Sequence, residues 1–140
     1  MLIGVENWGE PPFPEYGDLD YALSSDSDSE CHQNDSNFKI LLSHNPEHWN
    51  REVSKKTNID LTLSGHTHGM QVMLKSGDWK WSPSKYRYEQ WGGKFYRENI
   101  NGEPTQLYVN IGSGSVGMPA RLLSAYPEIT VFTLKRGNPN

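Results

Sequence analysis

The sequence is poor in several things at once. It has one cysteine, Cys31, in 140 residues. That excludes an intrachain disulfide and a cysteine-rich zinc module. No lysine or arginine stands beside Cys31 to stabilise a thiolate, so it reads as a loop thiol. No apolar run approaches the ~18 residues that span a bilayer, and no signal-peptide pattern is visible at the start. Basic excess is also missing: 13 Lys and Arg stand against 17 Asp and Glu, a net charge of −4. Nucleic acid wants a basic face, so no nucleic-acid partner is expected. Hydrophobic residues make up only 34% of the chain, below the usual share of a globular domain. A chain of this length can still bury a core. Its low apolar content predicts long polar loops and a core partly supplied from elsewhere.

What is present is a set of histidines at the ends of apolar runs. Ile59, Leu61 and Leu63 alternate with polar residues, and the run stops at Ser64-Gly65. His66 and His68 follow with one residue between them, then Gly69. An extended His-x-His would place both rings on one side of the backbone. Two neutral imidazoles side by side suit one divalent cation, or two cations sharing a cleft. On spacing alone, a pair of surface histidines remains the plain alternative. A second run, Phe38 to Ser43, ends in His44, with Asn45-Pro46 next. Two parallel strands ending in histidine would bring His44, His66 and His68 to one sheet edge, where open α/β sheets bind ligands.

The rest of the chain reads as follows. Residues 2–6 form a short buried strand, and 7–17 a loop broken by Gly and Pro. Asp18 caps a helix beginning at Leu19. Residues 24–37 form an acidic loop of low complexity, without the pattern of an EF-hand. The strand 38–43 has a continuous apolar centre that predicts burial on both faces. Pro46 opens a helix that ends near Lys55-Lys56, with His48 on its surface. Residues 75–93 interleave Trp, Tyr and Lys, which fits either packing or a lid over a substrate. Asn101-Gly102 marks a hairpin between strands 94–98 and 106–110. A flexible Gly/Ser loop at 112–117 comes next. The alternation from Ile129 to Leu134 predicts a closing strand.

Leu42-Ser43-His44-Asn45-Pro46, followed by Ser64-Gly65-His66-Thr67-His68-Gly69-Met70-Gln71, resembles the last two metal-binding blocks of the calcineurin-like metallophosphoesterases. The run from Leu107 to Gly112, then Pro119-Ala120-Arg121 and Pro127 to Val131, is similar to the C-terminal portion of bacterial members. The group it most resembles includes membrane-associated phosphodiesterases, so a membrane-associated bacterial parent is expected. The earlier family blocks (Asp-x-His, Gly-Asp-x-x-Asp and Gly-Asn-His) are absent from the sequence. Residues 1–140 are therefore expected to be the C-terminal portion of a larger phosphoesterase domain, entered in mid-fold.

The resemblance implies an α/β fold, part of a two-sheet sandwich flanked by helices. It implies metal-dependent hydrolysis of a phosphodiester or phosphomonoester by the parent. His44 and His66 would hold one cation and His68 a second, the metals being Mn, Fe or Zn. The carboxylate ligands and the catalytic histidine belong to the absent blocks, so no catalytic residue is assigned here and the chain is expected to be inactive alone. Arg121, beyond the Gly/Ser loop, is a candidate for binding substrate phosphate, with a structural salt bridge as the equal alternative. The competing reading is a non-catalytic α/β binding or scaffold fragment that keeps these histidines. A sheet edge left open would favour self-association.

Overall fold

The computed structural model describes residues 1–24 and 37–135. Most of the acidic stretch 24–37, and Cys31 within it, lies outside the described residues. The described chain folds as mixed α/β with a larger and a smaller sheet.

The larger sheet has the order β1-β2-β3-β7-β6. Its strands are β1 (Leu2–Gly4), β2 (Ile40–Leu42), β3 (Leu61–Ser64), β6 (Gly93–Glu98) and β7 (Pro104–Val109). β1, β2, β3 and β7 run parallel, and β6 pairs antiparallel with β7. The hairpin predicted at Asn101-Gly102 is present. Gly102 sits at φ +77, where a Cβ would be strained, and Asn99 Oδ1 accepts from the Asn101 and Glu103 amides at 2.8 and 3.0 Å.

Period-two alternation decides the faces. Ile3, Leu41, Thr62 and Leu107 lie across from one another in register and are all buried. Helices cover this face. One is α1 (Leu19–Ser24), where Asp18 Oδ1 takes the Tyr21 amide at 2.7 Å as a cap. The other runs as α2 (Pro46–His48), a π turn (Trp49–Val53) and α3 (Ser54–Lys56). Asn45 caps it: its Oδ1 accepts the Glu47 amide at 3.0 Å and its Nδ2 donates to Trp8 O at 3.1 Å. Trp49 and Val53 join Ile3, Leu19, Leu41, Ile59, Leu107 and Val109 in the core.

The other face is more open. Leu42 is 43% exposed and Leu2 68%, so the expected burial of the second strand on both faces does not hold. The helices cover one side only, and the C-terminal segment crosses the other at Tyr108, whose ring meets Phe132 at 5.1 Å. That segment is not the predicted strand. Residues 129–134 have no strand structure, and Ile129 and Val131 are 90% and 85% exposed. Alternation alone does not supply the ladder partner that a strand requires.

The smaller sheet, β5-β4-β8, joins β4 (Val72–Ser76), β5 (Trp79–Trp81) and β8 (Leu122–Leu123). It stands beyond the histidine loop. No helix among the described residues is long and apolar enough to cross a membrane.

Candidate metal centre

β2 and β3 end side by side, and the loops beyond them carry the histidines. The Gly65 amide donates to His44 O at 3.0 Å, stapling the two loops together. His44 Nε2 and His66 Nδ1 stand 3.1 Å apart, with the rings edge-on at 74°. A cation bonded to two such nitrogens at about 2.0–2.1 Å, at tetrahedral to octahedral angles, would hold them roughly 2.9–3.4 Å apart. The donor pair therefore fits a cation of that class.

The His-x-His segment is not extended, contrary to the expectation from strand geometry. β3 stops at Ser64, and His66 and His68 both adopt positive φ, +68 and +49. Met70 and Gln71 do so as well, at +45 and +57, within a 3-10 turn (His68–Gln71). Thr67 between the histidines is right-handed. The alternating hand sends the two rings to different neighbours: His66 to His44, and His68 to the Gly/Ser loop. Non-glycine residues in this region carry backbone strain that surrounding contacts must hold.

Those contacts are specific. Thr67 Oγ1 donates to Trp91 O at 2.6 Å and accepts the Gly69 amide at 3.3 Å. Ser82 Oγ donates to Gly69 O at 2.6 Å. Buried Gln71 donates Nε2 to Met118 O and Ala120 O at 2.9 and 3.2 Å, and its Oε1 takes the Val116 amide. The Gly/Ser loop is thus tied down rather than loose. Gly112, at φ +80, has to be glycine: a Cβ there would come within 3.2 Å of the His68 ring.

Burial, then the neighbouring His44, His68 and Arg87, hold the His66 imidazole below its ordinary pKa. His68 is lowered likewise, by burial first and then by Arg121 and His44, against a hydrogen bond to the Gly114 backbone. Neutral imidazole is the form that ligates a cation. His44 opposes the protonation of both His66 and His68.

Arg121 reaches the site, but its donors are largely spent. Nε donates to Gly114 O at 2.8 Å, Nη1 to Ala125 O at 3.4 Å and Nη2 to Ile111 O at 2.8 Å. Nη2 also lies 3.4 Å from His68 Nδ1. A bidentate grip on phosphate needs two parallel N–H groups, and this geometry does not leave such a pair free.

His48 is not on the surface. It is fully buried, stacked on Trp8 at 5.5 Å, with Nδ1 2.8 Å from Ser43 Oγ. Through Ser43 it contacts the end of β2. The sequence reading missed Tyr88 and the pair Glu10–Arg87. Tyr88 Oη lies 2.9 Å from His66 Nε2, and Arg87 Nη2 donates to Glu10 Oε2 at 2.6 Å. With His44, His66, Asn45 and Phe13 these residues line a cleft of about 620 Å³. Tyr88 lay within the aromatic stretch already singled out. Glu10, 77 positions from Arg87, carried no local signal.

Among the described residues no three His, Cys, Asp or Glu side chains gather into a metal-binding group. Glu10 in the cleft is already engaged by Arg51 and Arg87. The arrangement is that of an α/β protein presenting imidazole donors beyond the carboxyl ends of parallel strands, without carboxylate ligands among the described residues.

Comparison with known proteins shows the family. The chain is similar to the uncharacterized metallophosphoesterase YkuE of Bacillus subtilis, 41% identical over 104 residues, 72% of this chain and 32% of that protein. An uncharacterized metallophosphoesterase of Helicobacter pylori is 30% identical over 118 residues, 76% of this chain and 24% of that protein. A zebrafish transmembrane protein with a metallophosphoesterase domain is 32% identical over 97 residues, 69% of this chain and 20% of that protein. No family model matches the chain, and no solved structure matches it. The chain belongs to the metallophosphoesterases, a hydrolase family that works with metal ions, and it represents part of their domain. It spans about a third or less of the length of these curated relatives.

Proposed function

We propose that the protein of which this chain is part hydrolyses a phosphoester, a phosphodiester or phosphomonoester, with two bound cations. His44 Nε2 and His66 Nδ1 would hold one cation and His68 the other, with Mn, Fe or Zn as the candidates for an imidazole and carboxylate set. The observation that carries this reading is the 3.1 Å convergence of His44 and His66 at adjacent strand ends. When bound, such ions polarise a phosphoryl oxygen and lower the pKa of water, so no serine or cysteine nucleophile is called for. The chain's own residues favour the neutral form of His66 and His68 and aim their rings. Arg121 draws the Gly/Ser loop against His68, and we assign it that holding role before any contact with substrate phosphate. The carboxylate ligands and the catalytic acid or base would come from sequence outside this chain.

The absence of a third donor among the described residues favours a second reading for the chain by itself, a binding or scaffold unit without turnover. The test is metal content and hydrolysis of bis-p-nitrophenyl phosphate with added Mn²⁺, on this chain and on the parent-length protein. Two cations and turnover in the longer protein alone support the proposal, and His66→Ala or His68→Ala should each then cost one cation. Turnover by this chain alone would refute the account of the outside carboxylates. Inactivity of both would leave the scaffold reading in front.

A further inference from the structure

A ligating histidine must present a lone pair at one ring nitrogen and carry its proton at the other. In His66 the nitrogen facing His44 is Nδ1, and the remaining one, Nε2, lies 2.9 Å from Tyr88 Oη. The phenol ring meets the imidazole edge-on, 5.4 Å between centroids and 85° between planes. We propose that Tyr88 is a positioning residue, whose hydroxyl oxygen accepts the His66 Nε2–H and so keeps the Nδ1 lone pair beside His44 Nε2 for a divalent cation. This rests on the metal reading of that pair.

Tyr88 is itself held from several sides. Its amide donates to Ser84 O at 2.8 Å, after the 3-10 turn Pro83–Tyr86. The Arg87 guanidinium packs 5.1 Å over its ring. Arg87 is fixed by Glu10, whose other oxygen takes Arg51 from the π turn. Upstream, Ser82 Oγ grips Gly69 O, and downstream Trp91 O receives Thr67 Oγ1. Segment 82–91 therefore clasps the histidine loop at both ends, with the Tyr88 oxygen directed at His66 between them. Outer hydrogen-bond partners of ligating histidines typically change metal affinity by about 10–100-fold when removed.

The test compares the 140-residue chain with Tyr88→Phe, using exposed Tyr86→Phe as control. Nitrogen-15 NMR of the metal-free chain reads the His66 tautomer, and calorimetry reads Zn²⁺ affinity. We expect one tautomer, protonated at Nε2, in the parent and in Tyr86→Phe. Tyr88→Phe should give a mixture and weaken Zn²⁺ binding by about 10–100-fold. Tyr88→Gln, which keeps an acceptor without the ring, should recover part of both signals, as a loss of packing alone would not. A parent chain protonated at Nδ1, or a tautomer indifferent to Tyr88→Phe, overturns the proposal. A tautomer that depends on Tyr88 in a chain that takes up no Zn²⁺ leaves Tyr88's role standing and counts against the metal reading instead.

Discussion

Thr67 offers the sharpest test of how the histidine loop is held. It is 5% exposed, and its hydroxyl bridges two backbone groups, Trp91 O at 2.6 Å and the Gly69 amide at 3.3 Å. Thr67→Val keeps the shape and removes the hydroxyl. Each buried group left without its partner costs about 1–3 kcal/mol. The longer Gly69 contact belongs near the low end, so the expected loss is about 2–4 kcal/mol. Domains are stable by only about 5–15 kcal/mol, so the effect is large. Thr67→Ser keeps the hydroxyl and loses one buried methyl, about 0.8 kcal/mol. Urea unfolding of the three proteins measures this as a shift in midpoint at constant slope. A Thr67→Val protein within about 0.5 kcal/mol of the parent would refute the reasoning, since surface substitutions commonly fall in that range. So would a Thr67→Ser protein as unstable as Thr67→Val.

Other expectations concern the core, the buried histidine and the sheet edge. Trp49, 1% exposed beneath the sheet, should cost about 3–5 kcal/mol when changed to Ala, read in the same urea assay. Burial holds His48 below its ordinary 6.5, against the opposing pull of Glu52 and with Lys56 adding to the lowering. The unfolded chain therefore takes up the proton first, and stability should fall as pH drops from about 6.5 toward the lowered value. His66 and His68 shift the same way, so the His48 share is the part that His48→Asn removes from the pH profile. An unchanged profile would count against burial as the cause. β1 is an edge strand with no charged residue, whereas the opposite edge, β6, carries Lys94, Arg97 and Glu98. Charged edges resist pairing and uncharged ones invite it. Light scattering should show self-association that Leu2→Lys reduces, and a clean monomer would contradict this.

Much of the fold was legible because its signals are local. Asn45-Pro46 starts a helix through a side-chain cap and a preset φ, both independent of distant contacts. Asn101-Gly102 specifies the hairpin because the turn needs positive φ. The errors fall where local pattern met long-range packing. His48 follows a ligand candidate on a helix, but Trp8, 40 positions earlier in the chain, returns to bury it. Residues 129–134 alternate like a strand, yet no ladder forms for them among the described residues. The His-x-His spacing suggested an extended pair, whereas Thr67 and Gln71 hold a left-handed turn through partners 24 and 47 residues downstream.

By itself the sequence pointed to the family. Residue types and their spacing set that: imidazoles after Ser-His and Ser-Gly-His strand ends. Neighbouring parallel strands bring the segments that follow them to one edge of a sheet. Only the tertiary structure decided which ring nitrogen faces which. The Nδ1 of His66 meets His44, and its Nε2 meets Tyr88. That choice depends on backbone hand at His66 and on a phenol held by an ion pair between positions 10 and 87. Tautomer and aim are set by hydrogen bonds across the chain, and sequence spacing does not encode those.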